Sequence, residues 1–519
     1  MNINRYGFCM RLTARASREL VEPRRLSMKN LRQQKAIRTV ATLALTVALA
    51  GIAIPAQAQT FTSLHTFGGI DGTPPDGSYP NGLVQGTNGY LYGTTLAGGT
   101  GFYGTVFKIS TSGTETILQD FTSVPYNGNQ AALTLASNGN FYGSTKLPDS
   151  AVYKVTPSGA ITTLYPFCSL LNCADGNSPD AAMVQASNGD LYGTTQNAGA
   201  YGQGTIFKVT LGGALTTLYS FCETQNTEGY CLDGGASPYT ALVQGTNGDL
   251  YGTTQDNGAY GSGTIFRITM AGEFTTLHAF CSVAGCPDGA SPKAALVQGA
   301  DGNLYGVTSN GGNGAGTFFT MTPSGALTTL YTFCLAGGDC VDGAQPVALM
   351  LATDGNFYGL AGSGGANGYG TIFQTTPSGS LTTEHSFDAT DGIVGNNSYD
   401  GPMLIQDTNG TFYGVTELGG DNYSTCPTCN GTVFSLSMGL GPFVKTLPTS
   451  GRVGSSVKIL GNKLTGATSV TFNGAAATFT VVSSTEITTT VPHGATTGVL
   501  QVVTSTGTTL TSNLGFTVP

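Results

Sequence analysis

Asn247-Gly248-Asp249-Leu250-Tyr251-Gly252-Thr253-Thr254 is the stretch that decides the fold, because this 519-residue chain repeats it six more times. The other copies centre on Tyr92-Gly93, Tyr142-Gly143, Tyr192-Gly193, Tyr305-Gly306, Tyr358-Gly359 and Tyr413-Gly414, at steps of 50, 50, 59, 54, 53 and 55 residues. A period near fifty is the length of one four-stranded propeller blade, and seven copies suffice to close a ring. The expectation is an all-β chain: a seven-bladed β-propeller over 59–438, followed by a small Ig-like β-sandwich over 439–519.

Leu215 to Thr269 serves as the model unit. Thr216–Phe221 reads as a strand, followed by a loop carrying Cys222, Cys231 and Asp233-Gly234. Ala241-Leu242-Val243-Gln244 is a second strand, the Asn-Gly turn leads into Leu250–Thr254, and a Gly-rich loop leads into Gly263–Ile268. Asn-Gly between apolar runs is the strongest short hairpin signal, here read as a turn with both central residues at positive φ. Pro-Ser-Gly turns at Pro157, Pro323 and Pro377 join the remaining pair of strands. Strands apolar on both faces suit sheets sandwiched between other sheets. Each Tyr-Gly pair supplies a large ring beside a residue small enough for close approach.

Strand order accounts for closure. With Ala241–Gln244 innermost and the Thr-Thr-Leu strand outermost, seven outer strands end in Phe67, Phe121, Phe167, Phe221, Phe280, Phe333 and Phe387. The first, Phe61–Phe67, precedes any inner strand, and the last unit ends at Thr432-Val433-Phe434 without an outer one. Pairing the two closes the ring and removes a sheet edge. The short turns then share one face, and the Cys/Asp and Gly-rich loops crowd the other, where a ligand is expected.

Residues 1–58 differ from the rest. Ten of the 20 Lys and Arg residues lie between Arg5 and Arg38, an apolar run covers Val40 to Pro55, and Ala56-Gln57-Ala58 follows. This reads as a secretory leader with Gln59 as the mature start and Met28 as an alternative initiator. The run is shorter than the roughly 20 apolar residues a membrane span needs, so no span is expected after cleavage. The whole chain carries a net −9, and the mature part 10 basic against 27 acidic residues. Such a balance excludes nucleic acid and anionic membranes as partners, because phosphate binding needs clustered Lys and Arg.

Apart from Cys9 in the leader, the cysteines come as close pairs: Cys168-Cys173, Cys222-Cys231, Cys281-Cys286, Cys334-Cys340 and Cys426-Cys429. An even count in an exported chain implies disulfides, placing the protein in a secreted, extracellular or periplasmic setting. Loops this small gain little from closure, so the bonds are expected to rigidify a face rather than hold the fold. His65, His278 and His385 share a slot with Tyr165, Tyr219 and Tyr331, which reads as packing rather than proton transfer.

Aspartates precede glycine in the long loops at Asp76, Asp175, Asp233, Asp288 and Asp342, with Asn127 in the second unit. They read as Asx turns or as oxygen ligands for Ca²⁺, with no other cofactor or metal expected. In the Gly-rich loops Tyr103, Tyr201, Tyr260 and Tyr369 are candidates for stacking on sugars, in a chain with no Trp. The loops lead into strands, so no helix N-terminus is available to cradle a phosphate. Gln85, Gln185, Gln244, Gln298 and Gln406 recur on the inner strand, either as a polar ring around the channel or as links between strand ends.

The C-terminal stretch alternates as strands at Ser456–Ile459, Ser469–Phe472, Thr478–Val482, Ile487–Val491 and Gly498–Val503, enough for an Ig-like sandwich. It resembles IPT/TIG domains through Leu447-Pro448-Thr449-Ser450-Gly451, Val457–Gly461, Val470-Thr471-Phe472-Asn473-Gly474 and Ile487–Pro492 followed by Gly494. That resemblance implies a module for spacing or protein contact. The seven units resemble the GloVer-type tandem repeats of exported bacterial proteins, with likeness to HAF-type extracellular repeats. Leu242-Val243-Gln244-Gly245, Asn247–Gly252 and Gly263-Thr264-Ile265-Phe266 carry it, from about Phe61 to Ser437. This implies a fold and a location but no activity.

The functional expectation is a secreted, non-enzymatic module presenting its stapled loop face to an extracellular glycan or cell-surface protein. The competing expectation is a polysaccharide lyase or hydrolase at the axial pocket, which needs paired carboxylates or a Tyr/His/Arg set. Asp149, Asp256, Glu417 and Asp421 are the unit-specific acids available for it, and no catalytic motif joins them.

Overall fold

The computed structural model describes residues 59–68, 76–121, 131–146, 150–227, 229–312, 314–335, 338–395, 404–420 and 431–519. The leader, Asn127, Asp149, Asp421 and the Cys426-Cys429 pair lie outside the described residues.

Around Asn247-Gly248 the chain forms a four-stranded antiparallel sheet of Val243–Gln244, Leu250–Thr254, Thr264–Ile268 and Phe274–Ala279, paired in sequence order. The turn differs from the one expected. Gly248 has φ +88°, but Asn247 is not in the positive-φ region. Gly248 N–H donates to Gly245 O at 2.9 Å and Gly245 N–H to Asp249 O at 2.9 Å, which is a three-residue loop with glycine in the left-handed position. The Asn247 side chain explains the choice: its Oδ1 accepts from Asp249 N–H and its Nδ2 donates to Tyr251 Oη at 2.9 Å.

This is the first of the motif's two fixed contacts. Asn88, Asn138, Asn188 and Asn409 donate to Tyr92, Tyr142, Tyr192 and Tyr413 in the same way. Where aspartate replaces asparagine, the tyrosine donates instead, Tyr305 to Asp301 and Tyr358 to Asp354. Each buried phenol thus finds a partner four residues back. The second contact explains the glycine. A Cβ on Gly252 would lie 2.5 Å from Phe266 Cζ across the sheet, and Gly93, Gly193 and Gly306 meet Phe107, Phe207 and Phe319 alike. The tyrosine ring packs on the next sheet: Tyr92 stacks on Phe141, Tyr305 on Phe357 and Tyr358 on Phe412, with centroids 4.1 to 4.3 Å apart.

The described residues between 60 and 437 form seven such sheets, one per Tyr-Gly pair, numbered here 1 to 7 in chain order. Second strands such as Leu250–Thr254 are buried on both faces. The threonine of Tyr-Gly-Thr-Thr faces the threonine that opens the third strand, as in Thr254–Thr264 at 2.9 Å and Thr416–Thr432 at 2.8 Å, so these buried hydroxyls satisfy each other. The phenylalanines that follow the fourth strands, Phe67 to Phe387, are all buried.

Sheet 7 has Leu404–Gln406, Phe412–Thr416 and Thr432–Ser437, and its fourth strand is Thr60–Thr66 from the other end of the described chain. Thr60 pairs with Ser437 and His65 with Val433, with a bulge at Leu64. Phe61 fills the edge against Phe387 and Phe434.

The C-terminal residues form two further sheets. One contains Lys445–Leu447, Ser456–Leu460, Glu486–Thr490 and Phe479–Val481; the other contains Ala475–Ala476, Ser469–Phe472, Leu500–Val503 and Thr509–Thr511. They enclose a core of Val457, Ile459, Val470, Phe472, Ile487, Leu500, Val502 and Phe516. Three short strands escaped the alternation reading, Lys445–Leu447, Ala475–Ala476 and Thr509–Thr511, because two or three residues carry too little pattern. The expected linker Gly439-Leu440-Gly441-Pro442 is packed: Leu440 lies against the core shared by sheets 6, 7 and 1, and just beyond it Phe443 N–H donates to Thr408 O.

Candidate functional site

The repeat presents two unlike faces. On the turn face every positive φ among the described residues belongs to glycine. The loop face instead holds Tyr79, Phe102, Ala198, Asn257 and Gln345 in the left-handed region, together with seven of the eight described disulfide cysteines. Side chains avoid that region unless their surroundings hold them there.

What holds them is local. Disulfides Cys168–Cys173, Cys222–Cys231, Cys281–Cys286 and Cys334–Cys340 close the four loops as expected. The loop aspartate bonds back to the strand before it. Asp76, Asp288 and Asp391 meet His65, His278 and His385 at 3.0, 2.9 and 2.8 Å. Asp175, Asp233 and Asp342 accept from the hydroxyls of Tyr165, Tyr219 and Tyr331. Backbone N–H groups of the loop, such as Ser169, Glu223 and Cys334, donate to the same carboxylates. Tyr and His exchange in this slot because either ring can offer a donor to the aspartate. Burial, then the neighbouring carboxylate, raises the pKa of Tyr219 and Tyr331. Among the described residues no group of three or more His, Cys, Asp or Glu side chains converges to hold a metal ion.

The four loop tyrosines occupy two slots rather than one. Tyr103 and Tyr369 directly precede the Gly-Thr that opens the third strand, bridge Gly98 and Gly364, and pack half-buried against the cores. Gln203 and Ser262 fill that slot in sheets 3 and 4. Tyr201 and Tyr260 lie two residues earlier and stand 45% and 52% exposed. Counting back from Gly-Thr would have separated the pairs. Phe102, Leu171, Tyr230, Val283 and Leu335 are further exposed apolar side chains on these loops, whereas Tyr90 alone among the large exposed apolar residues of the described repeat lies on the turn face.

The five inner-strand glutamines link neighbouring sheets. Gln185, Gln244, Gln298 and Gln406 each accept, through Oε1, from a turn N–H of the preceding sheet: Ser137, Ser187, Thr246 and Thr353. Each Nε2 returns to its own turn, at Gly189, Gly248, Gly302 and Gly410. Gln85 of sheet 1 does the same to sheet 7, donating to Thr408 Oγ1 at 2.7 Å and accepting from Thr408 N–H at 3.3 Å. Leu135 and Leu351 stand in this position on sheets 2 and 6.

A cavity of about 420 Å³ is lined from every one of the seven sheets by the first strand or the residues just before it. Its walls are mainly apolar, with Leu83, Leu133, Met183, Leu242, Leu349 and Ile405 among them. Lys445, Thr446, Leu447 and Leu460 of the C-terminal domain also line it. Of the five glutamines only Gln85 reaches it. Lys445 Nζ donates to Gln406 O, and burial, opposed by Asp407, pulls its pKa down to about 8. Of the acids weighed for catalysis, Glu417 is buried on sheet 7 and Asp256 follows the second strand of sheet 4, near Lys293. They sit on separate sheets.

Among the described residues no helix is long and apolar enough to cross a membrane. No curated protein matches the chain. A fungal alcohol oxidase of the AA5 family, in complex with copper, shares 12% identity over 88% of this chain and 99% of its own, with a TM-score of 0.48. Two extracellular domains from B. thetaiotaomicron, assigned to a one component and a hybrid two component system, give TM-scores of 0.45 and 0.43 at 12% and 11% identity. They cover 82% and 84% of this chain, and 46% and 52% of their own. At such values none of these likenesses transfers a ligand or an activity. The sequence families are specific: the Gloeobacter/Verrucomicrobia repeat matches residues 148–296 and 283–478, and the IPT/TIG domain matches 442–518. The chain therefore belongs to the Gloeobacter/Verrucomicrobia repeat family and carries an IPT/TIG domain at its C-terminal end.

Proposed function

We propose that this chain is an exported, non-enzymatic binding module of a bacterial envelope or its surroundings, built as a seven-bladed propeller and binding through its loop face. Sheet order supports the ring: the first strand completes sheet 7, and Gln85 ties sheet 1 to Thr408 of sheet 7. The basic-then-apolar leader and four disulfides support export. One observation carries the binding reading. The exposed rings and aliphatic side chains of the repeat cluster on one face, with Leu171, Tyr230, Val283 and Leu335 inside the disulfide-closed loops and Tyr201 and Tyr260 on the Gly-rich loops beside them. Exposed apolar groups on a braced surface are what interfaces use. Tyr201 and Tyr260, in adjacent units, are the proposed anchors for a glycan or a cell-surface protein.

Glycan and envelope-protein arrays probed with the mature chain, with and without EDTA, test this. Binding that falls at least tenfold in Tyr201→Ala/Tyr260→Ala, with an unchanged melting temperature, is the expected result. Binding indifferent to both substitutions removes the loop face from consideration. Loss of binding in EDTA would return the loop aspartates to the role of Ca²⁺ ligands. Polysaccharide turnover abolished by Glu417→Gln would replace the reading with the enzymatic one.

A further inference from the structure

The cavity between the first strands is separate from the loop-face anchors, and its chemistry is different. Its volume of about 420 Å³ lies within the range of pockets that enclose small molecules. Walls of leucine, methionine, valine and isoleucine offer water few partners, and a cavity so lined is better filled by apolar groups. Only two ionisable residues line it, Lys293 and Lys445, and both are cationic in a chain whose net charge is −9. Lys293 lies four residues before the first strand of sheet 5, near Asp256. Lys445 comes from the C-terminal domain.

The Lys445 ammonium is costly where it stands. It sits deep in the protein yet retains partial access to the space it lines. An ammonium carries three donors, and Gln406 O takes one of them. Asp407, the acid that offsets its charge, is itself buried and spends Oδ1 on Asn409 N–H. Isolated from bulk water, a charge of this kind gains most from an anion that brings its own apolar body into the adjacent space. Each sheet gives two or three consecutive residues to the lining, so an apolar chain entering the cavity meets side chains of all seven sheets rather than a single wall.

We propose that the cavity is a binding site for a medium-chain fatty acid, its apolar chain filling the space between the first strands and its carboxylate on Lys445. Two features specify that class: a mainly apolar lining, and two lysines as the only ionisable residues among those that line it. The site joins elements far apart in sequence, since the lysine lies on the C-terminal domain and the walls on the repeat. The proposal stands independently of the loop-face reading.

Isothermal titration of the full chain with dodecanoate, dodecanol and dodecyltrimethylammonium tests the assignment. Dodecanoate is expected to bind one per chain, at least tenfold tighter than dodecanol and with no measurable binding of the cationic analogue. Lys445→Met, which keeps the unbranched stem of the side chain and removes its charge, should erase the preference for dodecanoate over dodecanol. Val184→Phe, which places a ring in the lined space, should weaken both by at least tenfold and leave the loop-face ligand unaffected. Absence of dodecanoate binding, equal affinity for the cationic analogue, or binding that survives Val184→Phe unchanged would each overturn the proposal. If Lys445→Met fails to fold, the Val184→Phe arm and the analogue series still decide.

Discussion

At the scale of single residues, the repeated phrase specifies contacts rather than a general β tendency. Gly252 exists because the Phe266 ring occupies the place of its Cβ, with Leu242 Cδ2 2.7 Å away on another side. Gly252→Ala must push a ring inside a packed sheet, and overpacking of this kind costs about 1–3 kcal/mol. A lowered midpoint in chemical denaturation with the slope unchanged is the expected signature; an unchanged midpoint would mean the ring moves freely. Glu115 is the opposite case, a residue out of pattern. It opens the fourth strand of sheet 1, where sheets 2 to 6 carry Ile161, Leu215, Phe274, Leu327 and Leu381. Burial raises its pKa to about 7, with His65 opposing and Asp76 adding to the rise. The folded state therefore holds the proton more tightly than the unfolded one, so Glu115 makes stability fall as pH rises from about 4.5 to about 7 and adds no slope above. Melting temperatures of Glu115→Leu and the parent should diverge across that interval, the variant gaining towards neutral pH. Parallel curves from pH 4.5 to 8 would contradict the assignment. The tyrosine–glycine pairing was legible because seven copies display it, but the partner of each phenol was not. Asn and Asp alternate four residues upstream in plain view, and only coordinates reveal that both serve the same hydroxyl.

At the scale of elements, order along the chain carried more information than propensity. A surplus strand at the start and a missing one at the end of the repeat sufficed to pair Thr60–Thr66 with Thr432–Ser437. Removing residues 59–66 should leave the third strand of sheet 7 as an open edge and uncover Phe387 and Phe434 beside the lost Phe61. The truncated chain is expected to melt lower and to self-associate by light scattering, and a synthetic peptide of residues 59–68 should restore the monomer by completing the sheet. A truncated chain as stable and monodisperse as its parent would refute the pairing as a stabilising contact. Loops were read less well, for a physical reason. A strand's neighbours follow from its position in the repeat, whereas the direction of a loop side chain depends on local backbone angles that a repeat pattern does not display. Tyr103 and Tyr369 lie 11 residues after the tyrosine of Tyr-Gly and Tyr201 and Tyr260 nine after it, and that offset of two separates packed rings from exposed ones.

At the scale of the whole molecule, the C-terminal domain is part of the body rather than a pendant. Leu460 is buried and shares a cluster with Tyr92, Leu133, Leu135 and Phe141 of sheets 1 and 2, and Leu447 packs against it. Around that contact, Asn462 Nδ2 donates to Thr408 Oγ1 at 2.8 Å and Thr485 Oγ1 to Thr87 O at 2.7 Å. These bonds fall on sheets 1 and 7, the two that Gln85 joins, so the domain reinforces the seam between the beginning and the end of the repeat. Nothing in the alternation of the C-terminal strands could announce this, because Leu447 and Leu460 are ordinary members of the domain's own sheet and Asn462 and Thr485 lie in its loops. A domain hung on a linker unfolds by itself, whereas one sharing buried side chains with its neighbour unfolds with it. Scanning calorimetry of the full chain should therefore give a single transition. Leu460→Ala, a buried leucine truncated at the junction, should cost about 2–5 kcal/mol and move that transition as one peak. If the variant instead splits the peak, with the repeat melting at the parental temperature, the junction does not couple the two parts. The cavity site would then lose its structural basis as well, since Lys445 reaches the first strands only while the domain stays seated.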